Sequence, residues 1–251
     1  MPNTEASTIL EVAGLPIEVV RKPIKNLHIG VYPPEGHVRV AAPGFIAEEA
    51  IRLSVLNRLH WIRRMQRDFR QQPRETERHY VSGETHYLFG APLKLQVRPK
   101  ERQVNVSQTS PDRLTLEVSN SATREDRARA LQAFYRARLK AYAEPKLDDW
   151  AKRLSVAIPG FGVRRMKTMW GSCNPDNGLV WLNLELAKKP KPCIDYVILH
   201  EMAHFRSPTH DERFVALLDH HMPNWRQRRA ELNALPLAFE GSYSASHYPT
   251  P

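Results

Sequence analysis

Cysteine is scarce in this 251-residue chain: Cys173 and Cys193 lie far apart and form no C-x-x-C pair. That excludes a disulfide framework and fits a reducing compartment. No unbroken apolar run reaches the roughly 18 residues a membrane-spanning helix needs. The N-terminus lacks a basic start followed by an apolar stretch, so neither export nor membrane insertion is expected and the cytoplasm is the predicted location. No repeat with a period of roughly 20 to 50 residues, no low-complexity block and no zinc-finger or other DNA-reading motif is visible. Acidic residues are in the minority, 27 against 37 Lys+Arg, for a formal charge of +10. The excess has two readings: solvated basic faces, or an anionic partner such as a nucleic acid, a nucleotide or an acidic protein surface.

What is present is concentrated in Pro192–Arg206, which contains His200-Glu201-x-x-His204. Histidines four residues apart on a helix share a face and can hold one metal ion, and a glutamate beside the first can handle a water proton without being a ligand. The pattern fixes only three positions, so its context decides. Ile194, Val197, Ile198, Leu199, Met202 and Phe205 predict a largely buried helix, Pro192 suits its first turn and Pro208 forbids continuation. Thr209-His210-Asp211-Glu212 reads as a capping box, with Thr209 as N-cap and Glu212 at N3 of a further helix. His210 would then complete a three-ligand site, with Glu212, His220 and His221 as competitors.

The chain before this stretch alternates in type. Four short strands are expected over Ile9–Val12, Pro16–Val20, Leu27–Tyr32 and His37–Ala41, punctuated by Gly14, Pro33-Pro34 and Gly36 and arranged most simply as a meander. One helix is expected from about Ile46 to Gln72, with Ile51, Val55, Leu59, Ile62, Met65 and Phe69 on its apolar face. Its other face carries Arg52, Arg58, Arg63, Arg64, Arg67 and Arg70, a solvated surface or a phosphate-binding one. Strands resume over Thr85–Phe89, Leu93–Arg98, Gln103–Ser107 and Leu114–Val118. A long helix is expected next, from about Ala122 to Leu154, with Thr123 as N-cap and Pro145 as a possible division point. The predicted domains are a β-rich part over 1–120 and a catalytic part over 121–251.

A hairpin is expected over Val163–Asn183, just before the metal helix, where an edge strand could hold an extended substrate by backbone pairing. Trp170 and Asn183 are its candidate substrate-contacting residues; for Trp170 the alternative is an aromatic packed at a tight turn. Trp170-Gly-Ser-Cys173, Gly178-Leu-Val-Trp-Leu-Asn183, Ile194–His204 and His210-Asp-Glu-Arg-Phe214 together resemble the YgjP-like metallopeptidase family, related to the SprT-like zincins. The resemblance implies an α+β fold with a zincin-like catalytic domain, one zinc ion on His200, His204 and His210, and Glu201 as general base to a metal-activated water. The spacing from His204 to His210 equals that of metzincins, but Ser207 stands where they carry glycine and no Met-turn is evident. The expected activity is hydrolysis of a peptide or protein substrate. Two alternatives are kept: a nucleoside triphosphate pyrophosphohydrolase on the same site, and a nucleic-acid-associated protease or binding protein.

Overall fold

Apolar residues at a period of two build the first sheet. The computed structural model describes residues 7–32, 36–71, 75–101, 104–166, 169–175 and 177–236. Strands β1 (Ser7–Val12), β2 (Leu15–Lys22), β3 (His28–Tyr32) and β4 (His37–Pro43) pair in the order β1-β2-β4-β3. The central pair is parallel and both outer pairs are antiparallel. The expected meander is thus corrected. The strands richest in buried residues, β2 with Ile17, Val19 and Val20 and β4 with Val38, Val40 and Ala42, take the centre, and β3 is left at an edge.

The single helix expected after them is two, α1 (Glu48–Asn57) and α2 (Leu59–Gln71), broken at Arg58. Ile51, Val55 and Ile62 pack into one core with the sheet on both sides of the break, so the apolar periodicity read as continuous. Gln72, Pro33-Pro34, Gln103, Lys167, Thr168 and Asp176 lie outside the described residues.

A second four-stranded sheet comprises β5 (Thr85–Leu88), β6 (Ala91–Pro99), β7 (Asn105–Ser110) and β8 (Arg113–Val118). Its order is β5-β6-β8-β7, again with a parallel central pair and antiparallel outer pairs. The first hairpin of each sheet turns on two residues of positive φ, Ala13-Gly14 (51° and 74°) and Phe89-Gly90 (50° and 85°). Such two-residue turns match the twist of the strands they join. Gly14-Leu-Pro-Ile17 and Gly90-Ala-Pro-Leu93 stand at matching places, and a helix comes after each sheet. The chain therefore repeats one supersecondary pattern, at a spacing longer than the roughly 20 to 50 residues of short sequence repeats.

The second repeat continues into α3 (Arg124–Arg153). Thr123 caps it in a reciprocal box with Asp126, and Pro145 does not divide it. A three-stranded sheet of β9 (Gly160–Arg164), β10 (Gly171–Asn174) and β11 (Leu179–Asn183) has the order β10-β11-β9. A 3-10 turn (Leu184–Lys188), α4 (Lys191–Ala203), α5 (Glu212–His221) and α6 (Trp225–Ala234) complete the chain.

The fold is mixed α+β with a β-rich N-terminal part. It divides into compact units of residues 1–73 and 74–251, so the boundary expected near residue 120 falls inside the second unit. Leu93, Leu95, Leu114 and Leu116 share one core with Leu139 of α3 and Leu199 of α4, which ties these strands to the helices C-terminal to them. Among the described residues no helix is long and apolar enough to cross a membrane.

Candidate metal centre

Helix α4 is buried on nearly every face, from Cys193 and Ile194 through Met202 and Ala203. A helix apolar on nearly all sides must lie inside a core, and this one carries His200 and Glu201 into that environment. His204 is its C-cap. The chain then turns through Ser207, whose N–H donates to Ala203 O at 3.0 Å and whose hydroxyl donates to Asp211 Oδ1 at 2.7 Å. Asp211 also accepts the Phe214 N–H at 2.9 Å and is the N-cap of α5. The cap expected at Thr209 is thus corrected: the carboxylate two residues later satisfies the first-turn N–H and Ser207 together, and a carboxylate suits the positive end of a helix. His210 sits in the turn before the helix, held by these bonds rather than by a helical first turn.

The three histidines converge. Their ring centroids are 5.0 Å (His200–His204), 5.0 Å (His200–His210) and 4.9 Å (His204–His210) apart. One ligand nitrogen from each lies within 4.8 Å of the others, and Nε2 of His200 and of His210 face each other at 3.1 Å. Phe214 packs against all three rings at 4.7–4.9 Å and forms their shared wall. His204 Nδ1 lies 3.3 Å from Ser207 O, the contact that leaves Nε2 with its lone pair. Burial, with the neighbouring rings, depresses His200 to about 3, and burial also lowers His204. Both rings are therefore neutral near pH 7, the state a metal ligand requires. Of the competitors, His220 and His221 pair with each other and His221 packs on Trp150, while Glu212 opens α5; none joins the cluster.

Glu201 is buried beside the triad, and burial pushes its carboxyl up to about 8. Gly171 of the edge strand β10 lies directly against it: a Cβ there would stand 2.5 Å from Glu201 Oε1 and 2.6 Å from its Cγ. The half-buried Cys173 thiol is pushed up to about 12 by burial and by the Glu201 charge, so it stays protonated. Asn183 is buried and fully engaged. Its Nδ2 donates to Met166 O (2.9 Å) and Met169 O (2.8 Å), and its Oδ1 accepts from Glu185 N (3.1 Å) and Met166 N (3.4 Å). It pins the segment leading into β10 and has no group left for a substrate. Trp170 is half-buried against the core, with Lys189 Nζ 5.6 Å from its ring centre.

Gly171, Asp211 and Phe214 fall within the motifs that carry the resemblance, but neither they nor Ser207 could be given a role from sequence, because each acts through a contact formed only on folding. Arg229 on α6 was also missed; its charge lies close enough to help depress His200 and to offset part of the rise that burial imposes on Tyr196.

Comparison with known proteins bears on the whole of this unit. The model of the family described as YgjP-like, metallopeptidase domain, matches residues 25–235. The chain belongs to this family. The YgjP-like match begins before β3, ends just after α6, and so includes every residue of the centre described above. Membership makes the chain a hydrolase of metallopeptidase type, and such a family implies a divalent metal. No curated protein matches. Among solved structures, that of the metallopeptidase zymogen of Pyrococcus abyssi abylysin is similar over 38% of this chain and 99% of that one, at 17% identity and a TM-score of 0.34.

Proposed function

We propose that this YgjP-like chain is a zinc-dependent peptidase in which His200, His204 and His210 hold the metal and Glu201 is the general base. The observation that carries this reading is the convergence of three imidazoles within 4.8 Å, with the buried Glu201 on the same helix. The donor set fits: three nitrogen ligands are the complement of a catalytic zinc. Bound there, the ion would supply Lewis acidity to a carbonyl and lower the pKa of water.

The protein's own groups do the rest. Opposite charge returns Glu201 from its burial-raised state toward carboxylate, so that it can accept a proton from the attacking water. It then gives that proton to the leaving amine nitrogen. Strand β10 lies at the edge of its sheet and pairs only with β11 among the described residues. An extended peptide laid along that edge would be held by backbone bonds, and Gly171 would bring its carbonyl up to Glu201 because no side chain intervenes.

Phosphoanhydride hydrolysis at the same centre is the second reading, favoured by the charge of Arg229 beside His200. The test is turnover of a mixed peptide library and of nucleoside triphosphates by zinc-loaded protein, with Glu201→Gln alongside. The variant should keep its metal and lose about two to four orders of magnitude of peptide cleavage. Unchanged cleavage would remove Glu201 from the mechanism. Nucleotide cleavage in place of peptide cleavage, lost in the variant, would replace the substrate class.

A further inference from the structure

The first unit owes its positive charge to one helix. Residues 1–73 carry ten Lys+Arg against seven Asp+Glu, and α2 alone carries Arg63, Arg64, Arg67 and Arg70 against Asp68. Everything else in the unit balances, six against six. At about 100° per residue, Arg63, Arg67 and Arg70 form one stripe with Arg64 and His60 beside it, opposite the face through which Ile62, Met65 and Phe69 meet the core. All five are exposed.

These arginines differ from Arg21, Arg39 and Arg52 of the same unit. Arg52 pairs with Glu48, Arg39 with Glu18, and Arg21 is bound to the carbonyls of Pro43 and Ile46. Among the described residues Arg63, Arg64 and Arg67 form no ion pair, and Arg70 donates only to Gln66 O one turn back. Solvated helix faces usually alternate in sign, whereas like charges three and four residues apart destabilise a helix. The helix contains no lysine. The guanidinium fork matches the oxygens of a phosphate diester, and the stripe extends about 10 Å along the axis. No apolar side chain lies between the arginines, so the face has nothing to insert into a bilayer.

We propose that the α2 face of the first unit binds the phosphodiester backbone of nucleic acid without reading its sequence. Its residues all lie in the first unit and none belongs to the candidate metal centre, and its test involves no turnover. Binding of the full chain to labelled mixed-sequence oligonucleotides is followed by fluorescence anisotropy between about 50 and about 200 mM salt, in DNA and RNA, single-stranded and duplex. The expected result is an affinity that falls steeply with salt. Arg63→Gln/Arg67→Gln/Arg70→Gln should weaken binding at least about tenfold at the lower salt and reduce the magnitude of the log–log salt slope by about 2 to 3. The control removes the same charge from paired arginines of the second unit, Arg129→Gln/Arg153→Gln/Arg226→Gln, and should change binding by less than about threefold. Arg67→Glu alone should act in the direction of the triple variant, at a single exposed position where misfolding is not at issue. Absent binding at the lower salt, equal losses in the stripe and control variants, or capture by phosphatidylserine vesicles without oligonucleotide binding would each overturn the proposal. Preference among the four nucleic acids would identify the form bound.

Discussion

The two four-stranded sheets share strand order, strand directions and a first hairpin closed by two residues of positive φ, yet they support different things. In the second sheet the turn is docked. The N–H of Phe89 donates to Ala187 O at 2.8 Å, that of Gly90 donates to Lys188 O at 3.2 Å, and the Phe89 ring packs on Tyr142. That sheet thereby fixes the 3-10 turn after which α4 departs. In the first sheet a Cβ at the equivalent Gly14 would meet nothing within 4 Å, and the helices after it carry exposed arginines. One pattern has become a platform for a buried polar centre and the other a support for a charged surface. Burial of polar groups is what separates them, and substitution can test it.

The largest effect is expected at Lys188. It bridges Glu185 (2.7 Å) and Glu75 (3.1 Å), side chains only 8% and 9% exposed. Burial lowers the affinity of Lys188 for its proton, but the two carboxylates more than reverse this and hold it charged. Lys188→Met removes the ion-pair partner of Glu185 and leaves Glu75, among the described residues, only Arg78 at 3.7 Å, and should cost roughly 3–5 kcal/mol in urea unfolding. In the first unit the exposed Arg52–Glu48 pair is the counterpart, and Arg52→Ala should cost about 0.5 kcal/mol. Similar costs at the two positions would mean the buried network is not what distinguishes the units.

Acid sensitivity should divide them next. Burial holds His86 down at about 4, whereas His28, His37 and His60 of the first unit are exposed. Between its unfolded value of about 6.5 and about 4 the unfolded chain takes up a proton that the folded chain does not. The stability contributed by neutral His86 is therefore complete above about 6.5 and is lost as pH falls through this window, of order 3 kcal/mol in full. Unfolding of His86→Gln across the window should show a shallower slope. An unchanged slope would assign the acid sensitivity to other groups.

Gly171→Ala comes third, since its methyl group must displace the Glu201 carboxylate. About a hundredfold loss of turnover with unchanged metal content is expected, as for an ångström-scale misplacement of a reacting group. Full activity would show that β10 can move aside. The smallest effect is a paired one. Gly14→Ala and Gly90→Ala impose the same positive-φ strain, about 1–2 kcal/mol, but only the second brings a Cβ to 3.0 Å from Pro190 Cγ and 3.1 Å from its Cα. Thermal midpoints should fall further for Gly90→Ala, and equal falls would show that docking of the turn adds nothing.

The histidine triad was legible because its residues lie within eleven positions, where helix period and a proline stop set the geometry almost unaided. Thr123 was legible as a cap for the same reason. Thr209 misled because Thr209-x-x-Glu212 fits the capping-box pattern while Asp211, three residues before Phe214, does not, and the hydroxyl of Ser207, which favours Asp211, is a partner that only the folded turn supplies. Asn183 looked available for a substrate because its four hydrogen bonds run to residues as distant as Met166 and Met169.

By itself the sequence determined the kinds of element, the buried character of α4, the grouping of His200, His204 and His210 and the arginine face of α2, all of which depend on neighbours a few positions away. Only the tertiary structure decided the order of the sheets, the break at Arg58, the boundary at residue 73, and the approach of Gly171 to Glu201. Those depend on which distant surfaces exclude water together, and no local pattern encodes a partner that lies tens of residues away.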